Sequence, residues 1–385
     1  MPLPRILLVN YSPPRAGTGR YTRELLHALH AQSPQAFRLD LLLQNLPGRA
    51  DPAEWRRAGI TDPTSQVIVQ PRPRWASQRG YGTAFLVNSL AYFPRRIPAG
   101  YDLYHLTTQM IGASVRHTSR AVVTVHDLIA LRVRSNHSPL STWLRRAHLG
   151  PLRQARGLIF SSEHSRRDFL STYDYPEDRT TLAYLGAGDG FLPADRHASR
   201  EQLGLAADRP VLLHVGSEER RKNVETLLDA LALLVKRRPD ILLLRVGGRS
   251  SRSRRRIARH GLERNVRYLT GLSDDQLAAC YASADLFVFP SYYEGFGLPV
   301  LEAMRAGCPV VAARATSVPE ITGDAAVLVE AMDVSGMARS IEALLDDPGR
   351  RAVLRDMGIA RAAGFTWDRT ARATAAAYQR ALGTG

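Results

Sequence analysis

Apolar and polar positions along this chain alternate between two kinds of segment. Short apolar runs, several of them β-branched, occupy 5–10, 37–43, 67–69, 101–106, 121–125 and 157–162, and they read as strands. Between them lie stretches with helical spacing. One is 20–30, with Tyr21, Leu25 and Leu29 on one face, after a loop built from Pro13, Pro14 and the turn Gly17-Thr18-Gly19. Another starts near 163, where Ser161 or Ser162 can cap a helix and Glu163 follows in its first turn. Strand and helix in repeated alternation predict a parallel sheet covered by helices.

The periodicity fades after residue 185. Glycines at 186, 188 and 190 lead into a polar stretch up to Arg209, so 1–190 reads as a first domain and 191–209 as a linker. A second series follows, with strands expected at 211–215, 241–247, 266–269, 286–289, 309–312 and 325–329 and a helix at 223–236. It makes a second domain over 210–366, and 367–385 forms a last, Ala/Arg-rich helix with no strand behind it. No fixed-period repeat is present. The expected fold is α/β: two doubly wound, Rossmann-like domains facing a cleft, with ligands beyond the carboxyl ends of the strands.

Length and composition narrow the picture. A chain of 385 residues with 44% apolar content suits two globular domains. No apolar run reaches the roughly 18 residues of a membrane span, and the run at 6–9 is too short for the core of a signal peptide, so a cytoplasmic location is expected. Cys280 and Cys308 are too few for a disulfide framework, and neither has a neighbour at metal-ligand spacing.

The formal net charge is +16, carried by 50 Arg and 2 Lys; residues 1–190 hold +11 of it and 191–385 hold +5. Such a field favours an anionic partner, whether lipid headgroups, an anionic glycan or nucleic acid; a solvated basic surface without a partner is the plainer alternative. No Arg/aromatic string matches an RNA-binding signature, so nucleic acid is not expected. The segment 81–96 sets Phe85, Leu86, Leu90, Tyr92 and Phe93 among Arg79, Arg95 and Arg96. It reads either as a basic amphipathic element on anionic lipid, at the inner face of a membrane, or as a helix packed on the first sheet.

The candidate chemistry falls just after strands. The string Ser291-Tyr-Tyr-Glu-Gly-Phe-Gly-Leu-Pro-Val-Leu-Glu302 places Glu294 and Glu302 on either side of a glycine turn, with Pro299 suited to the first helical position. Gly295 and Gly297 allow close backbone approach, and the amides around Phe296 and Leu298 can hold an anion. Glu302 can accept from a ribose diol and Glu294 from sugar hydroxyls, so the ligand should carry hydroxyls as well as phosphate. The bland alternative is an acidic loop and a helix with a favourable N-terminal carboxylate.

The turn Gly216-Ser-Glu-Glu-Arg-Arg-Lys-Asn223 follows the first strand of the second domain. Arg221 and Lys222 ahead of a helix can stabilise a departing diphosphate, or they form a solvated basic pair. Gly17 and Gly19 form a glycine turn after the first strand, a weak signal by itself. His126 ends a strand and is followed by Asp127; it can contact a sugar near its reacting carbon, or be a structural histidine held by that aspartate. There is no Asp-x-Asp, so no metal clamp and no metal site is expected, and the cations and backbone dipoles must offset the diphosphate charge.

From 291 onward, through Ala303-Met-Arg-Ala-Gly-Cys-Pro-Val-Val311, Val318-Pro-Glu-Ile321 and Gly323-Asp-Ala325, the chain resembles the C-terminal half of the retaining GT-B glycosyltransferases of family 4. The likeness covers nearly the whole chain, densely over 211–330 and thinly over 44–100. It implies GT-B architecture with the last helix crossing back to the first domain. It also implies a nucleotide-sugar donor as substrate with no further cofactor, a glycan or lipid-linked acceptor hydroxyl, and retention without a metal.

By the same resemblance Glu294 and Glu302 bind donor sugar and ribose, Gly17 and Gly19 face the diphosphate, and His126 lies in the active site. Many members place an arginine directly after Gly216, where this chain has Ser217; the Arg-Lys-Asn string is closer to mannosyltransferase-like members, which points to GDP-mannose and to cell-surface polysaccharide or glycolipid assembly. Alternatives are a sugar-nucleotide epimerase or phosphorylase on the same fold, or a non-enzymatic lipid- or nucleic-acid-binding protein using the positive charge.

Overall fold

The computed structural model describes residues 2–10, 12, 17–32, 36–45, 55, 65–71, 88–118, 120–133, 147, 149–188 and 190–383. The chain divides into two compact units, one formed by Met1–Gly186 with Thr366–Gly385 and the other by Ala187–Phe365.

In the first unit the strands are β1 (Arg5–Asn10), β2 (Arg38–Asn45), β3 (Val67–Pro71), β4 (Leu103–Leu106), β5 (Ala121–Val125), β6 (Gly157–Phe160) and β7 (Thr180–Leu182). They form one parallel sheet in the order β3-β2-β1-β4-β5-β6-β7. The order reverses between β1 and β4, where Val9 lies opposite Leu106. Strands β4, β5 and β6 are buried along their whole length, as expected of a parallel sheet covered on both faces. Their side chains pack with Leu7, Val9, Phe93, Leu152 and Phe169 in one core.

Helix α1 (Gly17–Gln32) and α2 (Glu163–Leu170) follow β1 and β6. Ser162 caps α2 by accepting from the Ser165 amide. Of the amphipathic segment, 81–87 lies outside the described residues; Asn88–Tyr92 forms a wide helical turn, and Phe93 is fully buried in the core, which favours packing on the sheet for that side chain. Arg166 is engaged locally by Glu163, Glu177 and Thr180.

The second unit contains β8 (Val211–Val215), β9 (Leu242–Val246), β10 (Val266–Leu269), β11 (Leu286–Phe289), β12 (Val310–Ala313) and β13 (Ala326–Val329), all parallel in the order β10-β9-β8-β11-β12-β13. Here the reversal lies between β8 and β11, where Leu213 faces Phe287. The polar stretch 191–209, read as a linker, holds α3 (Arg196–Gln202), capped by Asp195. Its periodicity was invisible because the helix is short and buries Ser199 and Arg200 rather than apolar residues. Arg200 is 2% exposed and pairs with Asp285 at 2.9 Å, while that carboxylate also accepts the Val211 amide.

Helices α4 (Val224–Val235), α5 (Ser251–His260), α6 (Asp274–Ser283), α7 (Leu298–Arg305), α8 (Val318–Thr322), α9 (Val334–Asp346) and α10 (Pro348–Ala362) complete the unit. The arginine-rich 249–259 stretch is largely α5, which ties Arg252 to Glu225 and Arg256 to Asp229 on α4. Helix α11 (Trp367–Leu382) returns to the first unit and lies on α1 and the β4–β7 side of its sheet. Thr370 donates to the Tyr184 carbonyl and Arg156 to that of Ala381. Among the described residues no helix is long and apolar enough to cross a membrane.

Candidate active site

In the second unit the site grows from the carboxyl ends of β8, β9 and β11. Gly216 donates to the Val246 carbonyl at 3.0 Å, and Gly247 sits at φ +139, where a Cβ would fall 2.1 Å from the Gly216 oxygen. Only glycine at 247 lets the two turns touch. Arg245 is fully buried; it donates to the carbonyls of Gly216 and Val246 at 2.8 Å and pairs with Glu218 at 3.2 Å. It therefore braces the Gly216 turn from below.

Arg220–Lys222 form a single tight turn that ends at Asn223 in the left-handed region, φ +52. The Asn223 side chain donates through Nδ2 to the Pro290 carbonyl at 3.1 Å and to that of Ala331 at 2.6 Å, and its Oδ1 accepts from Thr226 Oγ1. The Tyr292 amide in turn donates to the Arg221 carbonyl at 2.9 Å. These bonds stitch the β8 loop to the β11 loop.

That stitching brings Lys222, Arg221 and Glu294 together. Lys222 Nζ lies 2.7 Å from Glu294 Oε1 and Arg221 Nη1 lies 2.9 Å from Oε2, although the residues are more than seventy positions apart in sequence. Burial pushes the Glu294 carboxyl up, but the charges of Lys222 and Arg221 outweigh it and hold the group below its ordinary value. The Glu294 amide donates to Thr316 Oγ1, and Ser317 Oγ donates to the carbonyls of Glu294 and Phe296. Lys222 also stands over the Phe289 ring. Arg221 is further held by Glu219 and by the Tyr293 carbonyl.

Gly297 caps α7 at φ +103, a conformation that favours glycine, and Pro299 occupies the second helical position rather than the first. Either position suits proline, because the first-turn amides have no intrahelical acceptor. Leu298 opens the helix beside Gly295 and Phe296, and the Phe296 ring meets Phe365. Glu302, in the second turn of α7, is 3% exposed and accepts a 2.9 Å bond from the Tyr281 phenol.

In the first unit Gly17 and Gly19 belong to the first turn of α1, not to a loop. Poor intrinsic helix propensity at both was outweighed by the packing of Tyr21, Leu25 and Leu29 below them. His126 follows β5. Its Nε2 lies 3.0 Å from the Thr107 carbonyl, and its amide donates to Gln109 Oε1. Burial pushes its pKa down to about 4, so the ring is neutral and Nε2 carries the donated hydrogen. Asp127 does not hold this imidazole; its carboxylate receives Gln109 Nε2 and the Ile129 amide instead.

Sequence reasoning assigned no role to Arg245, Asn223, Tyr281, Thr316 or Ser317. Arg245 had a readable signal, since it is a charge inside an otherwise apolar strand. Thr316 and Asn223 have positive φ, which the sequence does not announce. Among the described residues no group of three or more His, Cys, Asp or Glu side chains is placed to hold a metal ion. Both cysteines are buried and unpaired.

Comparison with known proteins finds two family models on this chain. The model of Glycosyltransferase Family 4 matches residues 15–187, and that of Glycosyl transferases group 1 matches 195–361. The O-antigen chain mannosyltransferase B of Escherichia coli is 32% identical over 268 residues, covering 68% of this chain and 70% of its own. A D-inositol 3-phosphate glycosyltransferase of Arthrobacter sp. (strain FB24) is 32% identical over 315 residues, covering 77% and 75%. Among solved structures, sucrose-phosphate synthase from Thermosynechococcus elongatus superposes with a TM-score of 0.78 at 25% identity over 99% of this chain and 100% of that one. Anabaena Alr3699/HepE in complex with UDP-glucose gives 0.73 at 20% identity over 97% and 98%.

Proposed function

The chain belongs to the GT-B glycosyltransferases that join a family 4 domain to a group 1 domain, and from that premise we propose that it moves a sugar from a nucleoside-diphosphate donor to an acceptor hydroxyl with retention of anomeric configuration. The observation that carries this reading is the buried Lys222–Glu294–Arg221 cluster beside the glycine cap of α7. It offers two anchored cations next to first-turn amides, the pairing a pyrophosphate needs.

The roles follow from charge. Lys222 Nζ has three N–H donors and Glu294 takes one of them, so the ammonium can also receive phosphate oxygen. Negative charge accumulates on the diphosphate as the glycosidic bond breaks, and Lys222 and Arg221 stabilise that state more than the ground state. Glu294 fixes both cations and presents carboxylate oxygens to sugar hydroxyls. Glu302, oriented by Tyr281, accepts from the ribose diol. Gly216 and Gly295 to Leu298 bound the donor. Gly17 and Gly19 meet the diphosphate, and neutral His126 contacts the sugar near the reacting carbon. With this charge supplied by side chains, the transfer proceeds without a divalent ion.

The relative from Escherichia coli is a mannosyltransferase of O-antigen chains, which supports mannose as the first sugar to test and a glycan or lipid-linked acceptor in surface polysaccharide assembly. The location proposed with this reading is the cytoplasm, with the net charge of +16 favouring peripheral contact with anionic lipid at the inner face of the membrane. The test is thermal shift across GDP-mannose, UDP-glucose and ADP-glucose, followed by nucleoside-diphosphate release in EDTA. We expect one donor to raise the melting temperature and its turnover to be unchanged by the chelator. Loss of turnover in EDTA would remove the metal-free mechanism.

A further inference from the structure

The second line of residues behind His126 forms a continuous buried chain that ends on the last helix of the protein. Tyr378 on α11 places its phenol 2.6 Å from His105 Nδ1. His105 Nε2 lies 2.8 Å from Thr124 Oγ1, and Thr124 Oγ1 lies 2.8 Å from the Tyr21 phenol. The Tyr21 ring then stands edge-on against the His126 imidazole, centroids 4.7 Å apart. Tyr378 and His105 are fully buried, and Tyr21 and Thr124 are 1% exposed. Water therefore cannot substitute for a missing partner without opening the core.

The far side of His126 is held with equal care. Thr107, whose carbonyl receives the imidazole, anchors its own hydroxyl on the Val9 carbonyl and accepts from Thr22 of α1. The ring is thus set between Thr107, the residue that follows β4, and the Tyr21 ring, and the Tyr21 support is linked to α11 through Thr124 and His105.

Resting on the reading that His126 contacts donor sugar, we propose that Tyr378 and His105 are positioning residues for transfer, acting through Thr124 and Tyr21 to fix the His126 imidazole. The C-terminal helix then contributes to the active site without touching substrate. A ring held to a fraction of an ångström matters because small misplacements of a contacting group weaken transition-state stabilisation sharply. Tyr378→Phe keeps the volume but leaves His105 Nδ1 buried without its partner.

The experiment is a double-mutant cycle between Tyr378→Phe and His126→Ala, read as nucleoside-diphosphate release from GDP-mannose, or from UDP-glucose if that is the donor used. Tyr378→Phe should lower kcat roughly 3- to 10-fold with donor KM nearly unchanged. In the His126→Ala background it should lower kcat no further. Tyr21→Phe, which removes the phenol but keeps the ring, should repeat the pattern; both variants are checked for native circular dichroism.

Equal losses in both backgrounds, or no loss in the first, overturn the positioning role. If His126→Ala itself leaves kcat intact, the donor-contact reading of His126 fails, a separate outcome. A readout independent of turnover uses chain labelled with 15N-histidine. Tyr378→Phe should shift the ring nitrogens of His126 as well as those of His105, and an unmoved His126 signal counts against the proposal.

Discussion

Glu294 accepts from two cations while 6% exposed, so changing it alters both the binding chemistry and the balance of buried charge. Glu294→Gln and Lys222→Ala should each reduce transfer roughly 100-fold, the order expected for a charge-bearing group aimed at the transition state. Near-normal turnover in both variants would show that the cluster is not where the donor reacts. Acid sensitivity is the second residue-scale expectation. His105 and His126 have folded pKa values pushed down by burial to about 3 and about 4, against an ordinary 6.5. Between pH 6.5 and 4 the unfolded chain therefore binds more protons, and stability must fall as pH drops through that window. Each ring contributes a slope of at most about 1.4 kcal/mol per pH unit. Urea unfolding between pH 4.5 and 7.5 measures the slope, which His105→Asn should reduce.

Element by element, the site depends on turns rather than on strands or helices. Gly216→Ala would place its Cβ at ordinary contact, 3.6 Å from His214 and Lys222, whereas Gly247→Ala drives a Cβ into the Gly216 oxygen at an unfavourable φ. The first should melt close to the parent protein. The second should lose on the order of 3 kcal/mol, from backbone strain and overpacking together. Equal melting temperatures would mean that the β8 and β9 turns do not abut. The sequence exposed the strands of both sheets except β7, because apolar runs bounded by turns survive without context, whereas Thr180-Thr181-Leu182 is three residues long, half-buried and mostly polar. It hid α3, whose buried face is a serine and an arginine, and it misread the start of α1, where packing further along the helix carries two glycines into its first turn.

At the level of the whole molecule, α11 is the last part of the chain yet belongs to the first unit, covering α1 and the strands beside His126. Removal of residues 366–385 should unfold that unit while 187–365 remains folded, seen as loss of amide-exchange protection confined to residues before 187. Uniform protection would mean that the helix is dispensable for the first core. The net charge of +16 adds an expectation for the assembled protein. It should co-sediment with vesicles containing anionic lipid at low salt and release as ionic strength shortens the screening length. Binding that ignores salt would point away from an electrostatic surface.

By itself, the amino-acid sequence determined the α/β alternation, the two series of strands apart from the edge strand β7, the final helix and the residue types that can serve a diphosphate and its sugar, since these follow from local periodicity and from chemistry carried on contiguous motifs. Tertiary structure decided which of those side chains meet. It joined Glu294 to Lys222 and Arg221, braced Gly216 with a buried arginine from the next strand, replaced Asp127 with Thr107 as the partner of His126, and ran a line of buried polar groups from that histidine's surroundings to Tyr378. Each of these contacts closes a long loop, and loop closure depends on how sheets order their strands, which no local pattern encodes.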